Sequence, residues 1–458
     1  MSAEHAFDAA VMMMRAGRRH EAARVAWEVL RQKPGHADAW ALRAMVEASE
    51  GRYENAMLHH GFATQAAPNR HDLWINRGID AMNARMHKES EESFTRALTL
   101  RESFEGRFNY GNLLASIMRL DEAATQYRKA LEIDPEHAQA HTNLGTVLIG
   151  QGKWRYGFGH YRHRFASPGF PPAARMPYPQ WQGGPLEGKT ILLYAEQGFG
   201  DEIMSLRFFS PILSQGAQII LAVRPPMFRL ARRLSVPNVI HAALMYDQLP
   251  VEPDYQCAML DVPAFIDFDD SGVPLTDGYL SAHDRGIRLE MPPGLNVGIC
   301  WSAGKRDLQP GTAETARQKS LSFRELAAPL ARPGVNLFSL QQHHNDDLRE
   351  FGVRDVMGGV TDFADTAFII DHLDLVVTVD TSVAHLAGAM GKPVWNLVRF
   401  DAVWPWMQEI GKTCWYDSMT LYRQDRPFDW APPLKRLAAD FGPFLEASLA
   451  ARRCVAAE

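Results

Sequence analysis

A chain of 458 residues is too long for one hydrophobic core and suits two or three domains. With 46% hydrophobic and 22% charged residues and a net charge of −6, it has an ordinary globular composition and lacks the basic surplus of a nucleic-acid binder that works by bulk electrostatics. The first residues, Met1 to Asp8, are acidic where a secretory signal is basic, no apolar run reaches a membrane span, and Cys257, Cys300, Cys414 and Cys454 show no CxxC spacing. These features predict a cytoplasmic protein with reduced thiols.

A period near 34 runs through the first third. Gly17 and Gly51 are one period apart, as are Pro34 and Pro68, and Ala22, Ala56 and Ser90; Ala123 falls one residue short of the next step. Pro135 closes a later unit, and Trp40, Trp74, Leu114 and Tyr127 fall between at helical spacing. Here residues 1–166 resemble the tetratricopeptide repeat, with small residues where two helices touch and Pro at the exit. Four repeats are expected, plus a partial cap from His141 to Arg164. The third, with Ser90 for Ala and Glu102 for Pro, is expected to pack more loosely. Such units must stack into an α-solenoid with a concave groove, which holds a protein partner or only dimerises or braces the rest of the chain.

Residues 167–188 are Pro-rich and read as a linker, either semi-rigid or laid across a domain surface. Strands and helices then alternate. Strands are expected at 190–195, 218–223 and 255–260, then, after a polar break at 267–293, at 295–301, 336–341, 375–380 and 394–398. Two such sets predict two Rossmann-like halves, 189–290 and 291–458, facing across a cleft with ligands at the carboxyl ends of the strands. Leu434, Leu437, Phe441, Leu445 and Leu449 mark a last helix.

Three loops at strand ends carry the chemistry. Gly198-Phe-Gly-Asp-Glu202 lacks the third glycine of a dinucleotide fingerprint. Gly198 and Gly200 let backbone approach a ligand, and Asp201 starts a helix as its cap or as a base facing the cleft. Gly298 to Arg306 misses the P-loop spacing and no helix is expected after it, but Ser302, Lys305 and Arg306 form an anion clamp or a solvated basic loop. In Val377 to Trp395 a strand turns at Asp380, Thr381 and Ser382 into a helix bearing His385, which Gly391 stops. The free N–H groups behind the Thr381 and Ser382 caps suit phosphate or carboxylate, and His385 adds a donor. The ordinary reading is a βα unit with a locally packed histidine. Asp267 to Asp270 reads as an acidic turn, and His343-His344 lack further metal ligands.

Together the loops resemble GT-B glycosyltransferases of the lipopolysaccharide heptosyltransferase type (glycosyltransferase family 9), the match covering 188–425. The fusion to repeats is similar to flagellin-modifying and O-GlcNAc transferases. The resemblance implies a bacterial, inverting, metal-independent glycosyltransferase with no cofactor, the nucleotide-sugar being a substrate. It makes Asp201 the general base, with Glu202 the neighbouring alternative. Lys305, Asp380, Thr381, Ser382 and His385, with Ser302 and Gln341 at neighbouring strand ends, would bind the donor. The repeats would recruit a protein acceptor such as flagellin, or a lipid-linked or surface glycan. In the family a last helix commonly crosses back to the first half. A non-catalytic scaffold with a vestigial nucleotide-sugar site is the competing class.

Overall fold

The computed structural model describes residues 2–168, 170, 177–232, 234, 238–243, 249, 251–266, 273–276, 278–282, 289–304, 312–402, 404–406 and 411–455. It contains two compact units, Met1–Val147 and Leu148–Glu458. The expected end of the solenoid at residue 166 lies inside the second unit, because Trp154, Phe158 and Tyr161 are buried in the α/β core.

The first unit is a helical solenoid. Helices α1 (Ala3–Arg15), α2 (Arg19–Gln32), α3 (Ala37–Ser49), α4 (Tyr53–Ala66), α5 (His71–Asn83), α6 (His87–Leu100), α7 (Phe104–Ser116) and α8 (Leu120–Ile133) pack as successive pairs; α9 (Ala138–Gly150) runs across the boundary between the units, and α10 (Trp154–Tyr161) belongs to the second. The period has a local cause at each step. Inside each of the four pairs the turn needs one left-handed residue, and Gly17, Gly51, Arg85 and Met118 supply it with φ of 75°, 76°, 61° and 63°. Entering a pair, the Trp40 indole donates to the Pro34 carbonyl (2.8 Å) and Trp74 to Pro68 (2.9 Å). His141 Nε2 stands 2.8 Å from the Pro135 carbonyl in the same relation. Proline and ring thus recur together because one binds the other.

Ala22, Ala56, Ser90 and Ala123 are all fully buried where helices touch. The third repeat is not looser than its neighbours. The Ser90 hydroxyl donates to the Gly78 carbonyl (2.7 Å), and Phe94 lies so close to Gly78 that a Cβ there would come within 2.7 Å of the ring. Gly111 and Tyr127 repeat that contact at the same 2.7 Å.

The second unit holds two parallel sheets, a GT-B arrangement. The first contains β1 (Thr190–Tyr194), β2 (Gln218–Val223), β3 (Val239–Ala243) and β4 (Tyr255–Ala258) in the order β3-β2-β1-β4. The second contains β5 (Leu295–Cys300), β6 (Val335–Ser339), β7 (Arg354–Asp355), β8 (Leu375–Val379), β9 (Val394–Val398) and β10 (Met419–Arg423) in the order β10-β9-β8-β5-β6-β7. The apolar runs expected as buried strands occupy both centres, where both faces are covered. The edge strands β3, β7 and β10 were not expected. They are short or polar, and pairing rather than pattern makes them strands.

Helices α11 (Phe199–Ser205), α12 (Phe209–Leu213) and α13 (Pro225–Ala231) belong to the first half. Helices α14 (Thr312–Lys319), α15 (Phe323–Ala327), α16 (Phe363–Asp371), α17 (Ser382–Ala389) and α18 (Ala431–Val455) belong to the second. In the linker, Trp181 N–H donates to the Gln256 carbonyl and Gln256 N–H to Pro179 (both 2.9 Å), so this stretch is laid on the edge of β4. Helix α18 packs on the second sheet. Its Leu437, Phe441 and Leu445 are buried with Leu295, Val297 and Trp395 of the second sheet, and Arg332 donates to its Ala438 carbonyl (3.0 Å).

Arg85 and Met118 hold a backbone conformation that costs a residue with a Cβ about 1 kcal/mol. Arg85→Gly is expected to raise the stability of the solenoid by about that amount, whereas Gly51→Arg lowers it. Thermal denaturation of the two variants beside the parent checks both signs.

Candidate functional site

The site forms where α11, following β1, meets α17, following β8. These are the carboxyl ends of the central strands of the two sheets. Gly198 occupies the N-cap of α11, and the Asp201 carboxylate accepts from its N–H at 2.9 Å. Asp201 is therefore the cap of its own helix. Glu202 points the other way and is buried. It accepts from the Arg224 backbone N–H (3.0 Å) and from Arg224 Nε (2.8 Å), and burial raises its pKa against that pairing. Glu202 thus ties α11 to the turn after β2.

Gly200 has a role other than approach to a ligand. A Cβ built on it would stand 2.5 Å from Cδ2 of His385 and 3.1 Å from Nε2, so its missing side chain is what lets α11 lie against the imidazole. His385 is 5% exposed. Trp406 stacks on the ring at 4.8 Å and 26°, and Nδ1 lies 2.9 Å from the Tyr416 hydroxyl. Burial lowers the pKa of His385 to about 4, even though Asp380 and Asp201 favour the charged form. The histidine is a neutral imidazole at neutral pH, which the sequence does not reveal.

Thr381 is the N-cap of α17, but its side chain makes no capping hydrogen bond. Its Oγ1 turns instead to Thr378 Oγ1 (3.2 Å) and toward the Cys300 sulfur (4.0 Å). The first intrahelical bond comes from Ala384 N–H to the Thr381 carbonyl (3.1 Å), so the N–H groups of Ser382 and Val383 precede the ladder. Asp380 is buried beside them and paired with Lys319 Nζ at 2.5 Å. Burial pushes its pKa up, but the ammonium prevails and leaves it below the usual carboxylate range.

Lys319 is the cation that sequence reasoning missed. It ends α14, in a stretch read as lacking a helix because of its Pro and Gly content; Thr312-Ala-Glu-Thr-Ala-Arg-Gln-Lys319 nevertheless contains good helix formers after the last glycine. The expected cation, Lys305, and its neighbour Arg306 lie outside the described residues, as does the Asp267 to Asp270 turn. Ser302 and Gln341 come together as framework: Gln341 Oε1 accepts from Ser302 N–H (2.8 Å) and shapes the loop after β5. His344 packs edge-on against Trp301 at 5.3 Å.

A second polar cluster supports the β1 end. Arg164 is fully buried, bonded to Glu196, to Asp261 (2.6 Å) and to the Tyr161 carbonyl (3.1 Å). It holds the Glu196-Gln197 loop that leads into Gly198. The segment carrying Arg164 read as a repeat cap in the sequence.

Residues 309–398 match the glycosyltransferase family 9 (heptosyltransferase) model. Residues 13–59 and 111–152 match tetratricopeptide-repeat models. Protein FlbA of Caulobacter vibrioides (strain ATCC 19089 / CIP 103742 / CB 15) is 26% identical over 333 residues, covering 65% of this chain and 54% of FlbA. Tetratricopeptide repeat protein 8 of Caenorhabditis elegans is 28% identical over 140 residues, 30% of this chain and 28% of that one. The chain thus spans about half the length of FlbA and less of the second relative. Similar solved structures include YrrB, a TPR protein with an unusual peptide-binding site (23% identity, 35% of this chain and 84% of that one, TM-score 0.32). MamA is another (15% identity, 34% and 92%, TM-score 0.33).

Two outcomes follow from the packing around His385. Gly200→Ala is expected to cost about 1–3 kcal/mol in thermal or denaturant unfolding, as overpacking does, while Gly159→Ala, whose Cβ would meet nothing within 4 Å, costs nothing comparable. A histidine neutral when folded and titrating near 6.5 when unfolded adds stability above 6.5 that is lost as pH falls toward 4. The drop in melting temperature between pH 7 and pH 4.5 should therefore be smaller in His385→Asn than in the parent.

Proposed function

From a chain that joins tetratricopeptide repeats to a glycosyltransferase family 9 domain, we propose an inverting, metal-independent transfer of a sugar from a nucleotide-sugar to an acceptor recruited by the repeats. The observation that carries this reading is the meeting of a carboxylate, Asp201, with a helix N-terminus, a lysine and a neutral histidine at the carboxyl ends of two parallel sheets.

The acceptor hydroxyl attacks the anomeric carbon and gives its proton to Asp201 as the bond to the donor phosphate breaks. Glu202 is unsuited to that task, since Arg224 engages both of its oxygens. Negative charge grows on the departing phosphate, and the Ser382 and Val383 N–H groups, Lys319 and His385 are the donors gathered for it. Thr381 fits this assignment because its side chain turns away and leaves the helix end uncapped. Asp380 holds Lys319 in place through their ion pair. Lys305 is assigned to the same anion from the sequence alone. The repeats make a protein acceptor, such as flagellin, the first choice over a glycan, and the reading places the enzyme in the cytoplasm.

A thermal-shift panel of UDP, GDP, ADP, CMP and their sugar conjugates tests the reading, because a ligand that binds only the folded chain raises its melting temperature. One nucleotide is expected to give a shift that Lys319→Ala abolishes. Asp201→Asn should keep that shift and lose transfer by about 100-fold or more. No shift from any nucleotide would favour the scaffold.

A further inference from the structure

Arg207 is a fully buried guanidinium that, among the described residues, hydrogen-bonds to no carboxylate. Its Nε donates to the Met204 carbonyl (3.0 Å), Nη1 to the Trp415 carbonyl (2.7 Å) and Nη2 to the Tyr279 hydroxyl (3.2 Å). Tyr279 passes its own proton to the Ile203 carbonyl (2.9 Å). The guanidinium lies 4.8 Å from the centre of the Tyr416 ring. Tyr416 is fully buried, its phenol kept protonated by that burial, and its hydroxyl stands 2.9 Å from His385 Nδ1.

This surrounding decides the direction of the Tyr416–His385 hydrogen bond. A cation can only donate, and the hydrogen bonding between Arg207 and the Tyr416 phenol engages an oxygen lone pair, which leaves the phenol hydrogen for the imidazole. The other edge of the ring agrees. Nε2 lies beside Gly200, the residue before Asp201, and the charges of Asp380 and Asp201 both act on the ring. A proton on Nε2 presents a donor to the Gly200–Asp201 turn. Trp406 stacked on the face holds the ring plane, which leaves two orientations related by a half-turn about Cβ–Cγ, and Tyr416 at Nδ1 selects one of them. Tyr416 is itself held by shape, since a Cβ at Gly388 would come within 2.6 Å of its ring.

We infer that Tyr416, backed by Arg207, is a positioning residue that donates to His385 Nδ1 and so fixes a neutral imidazole carrying its proton on Nε2, a hydrogen-bond donor facing the Gly200–Asp201 turn. Its use toward a departing phosphate rests on the function proposed above, but its protonation pattern does not.

The test is a two-bond ¹⁵N–¹H spectrum of the full chain labelled in histidine, with the His385 signals identified by their loss in His385→Asn. The expected pattern in the parent is a protonated Nε2 and an unprotonated Nδ1. Tyr416→Phe keeps the ring on Gly388 and should change that pattern toward a mixture of both tautomers. A proton on Nδ1 in the parent, or a pattern unchanged in Tyr416→Phe, overturns the inference. In the thermal-shift panel Tyr416→Phe should weaken the responding nucleotide roughly tenfold. Undiminished affinity would overturn the use of Nε2 toward phosphate. If the parent binds no nucleotide at all, the functional reading fails while the spectrum still decides the tautomer.

Discussion

The close approach of α11 to His385 is the contact on which the second unit's site depends. It requires a residue without a side chain at position 200, since any Cβ would stand 2.5 Å from the imidazole. Gly388 meets the same requirement one turn further along α17, where the Tyr416 ring lies. The histidine is thus sandwiched by backbone on one side and aromatic rings on the other. A side chain so enclosed is dry, and dryness is what lowers its pKa and leaves it a neutral donor. Packing at two glycines sets the chemistry of a third residue.

Around this contact the strand-end loops are held by buried charge. Arg164 grips Glu196 and Asp261, Glu202 grips Arg224, and Asp380 grips Lys319. Buried pairs of this kind contribute little net stability, because desolvation offsets most of their attraction. Losing one partner, however, leaves an uncompensated charge in a dry place, so each pair strongly penalises any other loop conformation. Three loops that carry no regular structure are in this way made rigid at the point where a ligand would need them preorganised.

Much of this architecture was legible in the chain. The 34-residue period reports a left-handed turn residue in each of the four pairs and a ring-to-proline hydrogen bond after three of them, and both are local events that recur with the sequence. Central strands were legible because burial on both faces demands unbroken apolar runs. The edge strands were not, since Arg354-Asp355 or Met419 to Arg423 become strands only by finding a partner. Asp201, Asp380 and His385 stood out by their place after a strand. Lys319 and Arg164 did not, because each reaches the site from a segment distant in sequence, and no local pattern encodes that reach. The role of Tyr416 was hidden for the same reason.

The sequence posed Asp201 as either a helix cap or a base; the structure shows the capping hydrogen bond, and the base role proposed above is compatible with it. A general base must be held within a fraction of an ångström of its proton, and a lone aspartate at a loop end has rotamer freedom to lose. The hydrogen bond from Gly198 N–H at 2.9 Å removes that freedom with backbone, the least mobile partner on hand. Gly198 is in turn fixed by the loop that Arg164 anchors through Glu196. Under the function proposed above, capping is how the fold would aim the carboxylate, and the buried triad behind it is how the cap is held.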